Sequence, residues 1–180
     1  LINKQVVAGL QAAGCNAIGL SGADANVVPA VRRSPVPIDF GFVGDIDSSK
    51  INSDFIATLL EAGVSPVFCA ITHDEKGSLL NSNADSVASA VAVAASRIAP
   101  TDMHFCFEKR GVMRDIDDPD SLIDEIRPDS YRELREQGVV NKGMIPKIDN
   151  AFRAVEAGVQ SVTIKHSDNL LSNKGTVIKL

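Results

Sequence analysis

Asn81, Asn83 and Asp85 stand in one short run, Asn81-Ser82-Asn83-Ala84-Asp85, that leads into an alanine-rich stretch. Two carboxamides and a carboxylate this close together can hold a polar ligand. Local structure explains part of the run. Asn83 is a preferred N-cap for a following helix, and Asp85 is an acid favoured in a first helical turn. Asn81 has no such role, so ligand binding and plain capping both stay open on these residues alone.

A second run is Gly143-Met144-Ile145-Pro146-Lys147. Pro146 suits the first turn of a helix, which places Lys147 in that turn too. The helix dipole disfavours a cation there by about 0.3–1 kcal/mol. An anion bound at the exposed N–H groups reverses that balance, and phosphate is the obvious candidate. A solvated surface lysine is the competing reading. The third run is Glu108-Lys109-Arg110-Gly111-Val112, after the apolar Met103 to Phe107 segment. A charged, glycine-containing turn at that place suits a nucleotide crevice, and equally a plain connection from strand to helix.

These runs need a frame. Apolar residues at helical spacing predict a helix over 2–13, stopped by Gly14. A strand over 16–20 follows. The proline-rich stretch 27–46 reads as hairpin or edge-strand material, since proline cannot serve a central ladder. Within it, 27–38 reads as a plain hairpin or as a lid over a substrate. Ser53 is expected to cap a helix to Ala62. The run 64–72 reads as one strand buried on both faces, and 74–77 as a turn. Asn83 precedes a long helix to about Ile98, and Pro100 marks a boundary. Further helices are expected over 130–136 and 143–156, with strands at 103–107, 161–165 and 176–179. Strands alternating with helices predict an α/β fold, a three-layer αβα sandwich around a mainly parallel central sheet.

Bulk properties narrow the partners. The 180 residues are 44% hydrophobic and 23% charged, with a net charge of −5. That acidity argues against nucleic acid and anionic membrane surfaces. No apolar stretch is long enough to span a bilayer and no signal peptide is visible, so a cytoplasmic protein is expected. Cys15, Cys69 and Cys106 are widely spaced and read as buried free thiols. His73, His104 and His166 show no metal-ligand spacing. The chain opens at Leu1 inside a helical pattern, without an initiator methionine, and so reads as a piece of something longer.

Taken together, the motifs resemble those of the acetylglutamate kinases, a branch of the amino acid kinase family. Asn3-Lys4-Gln5, Gly19-Leu20-Ser21-Gly22, Gly41-Phe42-Val43-Gly44-Asp45-Ile46, the Asn81 to Asp85 run and the Gly143 to Lys147 run occur in the family's order and spacing. The resemblance implies a partial substrate lobe over 1–101 and a nucleotide lobe over 102–180. It implies that Lys147 is a catalytic lysine stabilising charge on the transferring phosphoryl group, and that Asp85 positions catalytic lysines. Asn81 and Asn83 would meet the substrate. Nucleotide contacts would come from Glu108, Lys109, Arg110, Gly111, Val112 and Met113, joined by Val139, Val140 and Asn141.

The implied reaction uses ATP with Mg²⁺ to phosphorylate the side-chain carboxylate of N-acetyl-L-glutamate, in arginine biosynthesis, in a homo-oligomer. Two departures matter. The family's first strand, with its lysine and Gly-Gly turn, and a later glycine-rich turn lie outside these residues. The Phe107-Glu108-Lys109-Arg110-Gly111 segment differs from the commoner Thr-Asp-Val-Pro-Gly and is similar to a Bacteroidetes-type variant, which brings N-succinyl-L-glutamate in as an alternative acceptor. The competing expectations are a non-catalytic ligand-binding module on the same fold and another branch of the family.

Overall fold

The computed structural model of the protein describes residues 1–115, 117–118, 120–140 and 143–180. Two compact units follow one another along the chain, Leu1–Ile98 and Ala99–Leu180.

The first unit runs α1 (Ile2–Ala12), β1 (Ala17–Leu20), β2 (Ala30–Arg32), β3 (Gly44–Ile46), α2 (Ser53–Glu61), β4 (Ser65–Phe68), β5 (Ile71–His73), β6 (Leu79–Asn81) and α3 (Ala84–Ser96). Gly14 follows α1 at φ +83°, a left-handed stop that glycine adopts without a Cβ penalty. β1 and β4 pair in parallel, with Ala17 opposite Ser65 and Leu20 opposite Phe68. α1 lies on that pair: Lys4 Nζ donates to the Gly19 carbonyl at 2.7 Å and Asn3 Nδ2 to the Val67 carbonyl at 2.8 Å. β2 and β3 form the expected hairpin, and β5 and β6 form another. Pro29 bridges to His73 and Val43 to Asn81, which joins the two hairpins. Beneath them Val27, Val28, Ile51, Ile56, Ala90 and Ala94 make a buried cluster. The alanines of α3 leave room for that close approach.

Three expectations are corrected here. The 64–72 run is not one strand buried on both faces. β4 ends at Phe68, Cys69 N donates to the Leu20 carbonyl at 2.9 Å, and the chain re-enters as β5 to pair with β6. Apolar composition cannot show such a change of partner. Ser53 does not cap α2; Asn52 does, its Oδ1 accepting from Phe55 N at 3.1 Å. The cysteines are free but not buried: Cys15 and Cys69 are half-buried and Cys106 is exposed.

The second unit runs β7 (Asp102–Phe107), β8 (Glu125–Ile126), α4 (Pro128–Glu136), α5 (Ile145–Glu156), β9 (Ser161–His166) and β10 (Thr176–Ile178). Among the described residues its sheet has the order β7-β9-β10-β8. β7 is parallel to β9 over its length, with Phe105 opposite Ile164. β10 is antiparallel to β9 and parallel to β8. α5 packs on β9 and β10 through the buried Ile148, Ala151, Phe152 and Ala154. β7 alternates: Met103 and Phe105 are buried, while His104 and Cys106 are exposed, which is why Cys106 escapes burial. The α/β class is the one expected, with parallel pairing in β1–β4 and β7–β9. Among the described residues no helix is long and apolar enough to cross a membrane.

Candidate functional site

In the first unit the candidate residues gather where β6 hands over to α3, and Ser82 holds that junction together. Ser82 Oγ donates to the Gly44 carbonyl at 2.9 Å and lies 2.9 Å from Thr72 Oγ1. Both hydroxyl residues are buried, Thr72 completely. Ser82 N donates to the Ala70 carbonyl at 2.9 Å, and Asn81 N to the Phe42 carbonyl at 2.8 Å. Buried hydroxyls in mutual contact satisfy one another, so the cluster is stable inside the unit. Gly44 is required there: a Cβ at that position would sit 2.8 Å from both Ser82 Oγ and Thr72 Oγ1.

With Ser82 turned inward, Asn81 and Asn83 on either side are exposed. Asn83 Oδ1 accepts from Ser86 N at 3.1 Å and caps α3. The capping role expected of Asn83 is therefore present. Asp85 follows, half-buried, in the first turn of α3. The structure thus brings Asn81, Asn83 and Asp85 to one strand-to-helix junction and fixes it through a residue, Ser82, that sequence reasoning passed over.

In the second unit a cleft of about 580 Å³ opens beyond the end of β7. That volume suits a small-molecule site. Glu108, Lys109, Gly111, Val112, Met113 and Val139 line it, all named from the sequence. Arg110 is exposed and Val140 buried, and neither is among the lining residues. Asn141 lies outside the described residues. The remaining lining comes from Phe107, Arg114, Asp115, Gly138, Gly143 and Met144. The glycines after α4 and before α5 were the available signal for these: two turns facing one strand end make a cleft between them. Gly143 and Met144 precede α5, which begins at Ile145 and not at Gly143 as expected.

The loop after β7 is anchored to β10. Val112 N donates to the buried Thr176 Oγ1 at 2.8 Å, and a Cβ on Gly111 would lie 2.6 Å from that same oxygen. The loop lies flat on Thr176 because position 111 has no side chain. Apolar Phe107, Val112, Met113 and Met144 offer surface to a planar base. Lys109 and Arg114 offer cationic charge to phosphates. The lining therefore fits a nucleotide. Among the described residues no group of three or more His, Cys, Asp or Glu side chains converges as a protein-held metal needs.

Lys147 occupies the first turn of α5 behind Pro146, at the end where the dipole opposes it, and it is half-buried. It is not among the residues lining the cleft. Its Nζ lies 4.4 Å from the centroid of the Phe105 ring. The turn is braced from α4: Tyr131 Oη donates to Asp149 Oδ1 at 2.8 Å and lies 3.4 Å from the Ile145 carbonyl. Burial of the ring, and then the bond to Asp149, push the Tyr131 phenol up to about 12.

Known proteins resemble this chain along nearly its whole length. The family model described as the amino acid kinase family matches residues 1–166. An acetylglutamate kinase of Phocaeicola vulgatus is 48% identical over 179 residues, 99% of this chain and 69% of that protein. One of Cytophaga hutchinsonii is 50% identical over 173 residues, 95% of this chain and 64% of that protein. Among solved structures, smu.665 from Streptococcus mutans UA159 superposes with a TM-score of 0.80 at 32% identity, over 98% of this chain and 66% of that one. An N-acetylglutamate synthase from Neisseria gonorrhoeae shares the fold at a TM-score of 0.80 and 20% identity, over 99% of this chain and 41% of that one. The chain spans about two thirds of the length of its acetylglutamate kinase relatives. The chain belongs to the amino acid kinase family, and within it to the acetylglutamate kinases.

Proposed function

We propose that the protein to which these residues belong transfers the γ-phosphoryl group of ATP to the side-chain carboxylate of N-acetyl-L-glutamate, a step of arginine biosynthesis. The observation that carries this reading is the 48% identity with an acetylglutamate kinase along 99% of the chain. The geometry supports it in two places. A cleft able to take a nucleotide lies beyond β7, and a polar junction built on Asn81, Asn83 and Asp85 supplies groups for an amino-acid acceptor.

The chemistry asks little of the protein beyond placement and charge. A carboxylate oxygen forms a new bond to the γ-phosphorus while the bond to the β,γ-bridging oxygen breaks, and ADP leaves with that electron pair. The acceptor is already an anion, so no general base is required, and none is assigned among these residues. What must be overcome is repulsion between a carboxylate and a triphosphate, which cations relieve. Lys147 is the lysine proposed to stabilise charge on the phosphoryl group, and Asp85 the carboxylate proposed to orient such cations. Glu108 to Met113 with Val139 form the proposed nucleotide wall. Mg²⁺ would arrive with the triphosphate, held by its phosphates.

The test is a coupled ADP-release assay on the full-length protein with N-acetyl-L-glutamate and N-succinyl-L-glutamate as acceptors. Turnover with the acetyl compound is expected. ATP and acyl-glutamate binding without ADP release would replace this reading with a non-catalytic binding module. Turnover confined to the succinyl compound would move the acceptor to the longer acyl group.

A further inference from the structure

The wall of the cleft beyond β7 is fixed to the fold at one short point. Among the lining residues of this loop, Gly111 and Val112 are buried, whereas Glu108, Lys109, Arg114 and Asp115 are exposed. The two buried residues are those that meet Thr176, itself fully buried on β10. Val112 N donates to Thr176 Oγ1 at 2.8 Å, and the Val112 carbonyl accepts from Ile123 N at 2.9 Å. A Cβ on Gly111 would fall 2.6 Å from Thr176 Oγ1 and 3.0 Å from Thr176 N, so backbone lies close on backbone there. The exposed lining residues on either side, Lys109 before and Arg114 after, hang from this point.

The support beneath the point is rigid. β10 lies between β9 and β8, with Thr176 opposite Ile164 and Val177 N donating to the Asp124 carbonyl at 2.8 Å. The ladder of β10 is made by its backbone, so the Thr176 hydroxyl serves the loop and not the sheet. Its bond draws Val112 N to 2.8 Å, whereas non-bonded heavy atoms settle at about 3.5 Å. Thr176→Val keeps nearly the same shape, yet it would push Val112 N outward by roughly 0.7 Å. It would also leave that N–H unpaired in a buried place. A misplacement of about 1 Å caused by a remote change can cost as much as about 100-fold.

We propose that Thr176 is a positioning residue for the nucleotide, its hydroxyl holding the Gly111–Val112 turn of the cleft wall at the depth that nucleotide binding requires. This rests on the nucleotide reading of the cleft given above. The experiment measures ATP binding by calorimetry without acceptor, and steady-state turnover, on the full-length protein and on Thr176→Val and Thr176→Ser. Thr176→Val should weaken ATP binding and raise KM for ATP about tenfold, with kcat at saturating ATP within about threefold, since the wall holds ground state and transition state alike. Thr176→Ser keeps the oxygen and should bind ATP within about twofold of wild type, even where its lost methyl lowers the melting temperature. Amide hydrogen exchange at Val112 is a second readout. Protection is expected in wild type and Thr176→Ser and is lost in Thr176→Val. Should Thr176→Val fail to fold, Thr176→Ala removes the hydroxyl without the outward push and carries the same expectations.

Unchanged ATP binding in the variant without the hydroxyl overturns the proposal. So does equal weakening in Thr176→Ser, or a Val112 amide that stays protected without the hydroxyl. A wild-type protein with Val112 protected that binds no ATP sinks the nucleotide reading of the cleft instead, and the proposal falls with it.

Discussion

Tyr131 on α4 donates its phenolic hydrogen to Asp149 Oδ1 on α5 at 2.8 Å, and this bond ties one helix to the turn of the other that bears Lys147. Tyr131 is only 8% exposed, and its ring lies 5.4 Å from that of Phe152. Tyr131→Phe keeps the packing and removes the bond. It should cost about 1 kcal/mol at neutral pH, read from urea unfolding.

The same pair predicts a pH dependence. The phenol ionises near 10 in the unfolded chain and near 12 in the folded one. The fold therefore prefers the neutral form. Its contribution is complete below pH 10 and is lost as pH rises toward 12, by roughly 2–3 kcal/mol across the window. Tyr131→Phe has no such loss. The stability gap between the two proteins should hold constant from pH 7 to about 9, narrow above pH 10 and reverse before pH 12. A gap that stays constant to pH 12 would contradict the buried, hydrogen-bonded phenol.

The two asparagines beside Ser82 should separate in their effects. Asn83 caps α3 through Ser86 N, so Asn83→Ala should cost about 1 kcal/mol of stability. Asn81 is exposed at the end of β6, and its backbone, not its side chain, bonds Phe42. Asn81→Ala should therefore leave stability within about 0.5 kcal/mol while raising KM for N-acetyl-L-glutamate severalfold. Equal loss of stability in both variants, with KM unmoved, would reduce the whole run to capping.

Much of this was legible in the residues themselves. Gly14, Asn83 and Pro146 punctuate helices for reasons internal to a few neighbouring side chains, and those helices stand within one or two residues of where such signals put them. The Glu108 to Met113 turn could be placed at a strand end because the apolar 103–107 run precedes it. What could not be read depends on partners far along the chain. Thr176 holds Val112 N across a sequence gap that no local pattern spans. Phe68 ends a strand because the chain exchanges β1 for β6 as its neighbour, and composition is the same on both sides of the exchange. Cys106 sits in an apolar run and reads as buried, whereas β7 alternates and turns it outward.

Ser82 makes a sharper test of the junction. Ser82→Ala removes the bond to the Gly44 carbonyl and deprives Thr72 Oγ1 of its close partner in a buried place. A loss of about 1–3 kcal/mol is expected from the groups left behind. Gly44→Ala should do at least as much damage, since its methyl group would press on both hydroxyls. Thermal melts of the two single variants and the double variant would show the coupling: the costs should not add, because both act on one cluster. Simple additivity would mean that the hydroxyl pair and the Gly44 approach are independent.

Lys147 carries the strongest functional claim. It stands in the first turn of α5 with its Nζ over the Phe105 ring. The turn is braced by Tyr131, Asp149 and the buried Ile148, each of which survives a change at 147. Lys147→Ala should therefore melt within a few degrees of wild type while kcat falls by about 100-fold or more, the scale seen when a group that stabilises transition-state charge is removed. Lys147→Arg separates charge from placement. Its planar guanidinium keeps the cation but places it differently over the ring, so partial recovery is expected, with kcat between that of wild type and Lys147→Ala. Binding of ATP, measured by calorimetry without acceptor, should weaken far less than turnover in either variant. If Lys147→Ala keeps its turnover, the dipole-opposed lysine has a structural purpose and the catalytic charge must come from elsewhere in the protein.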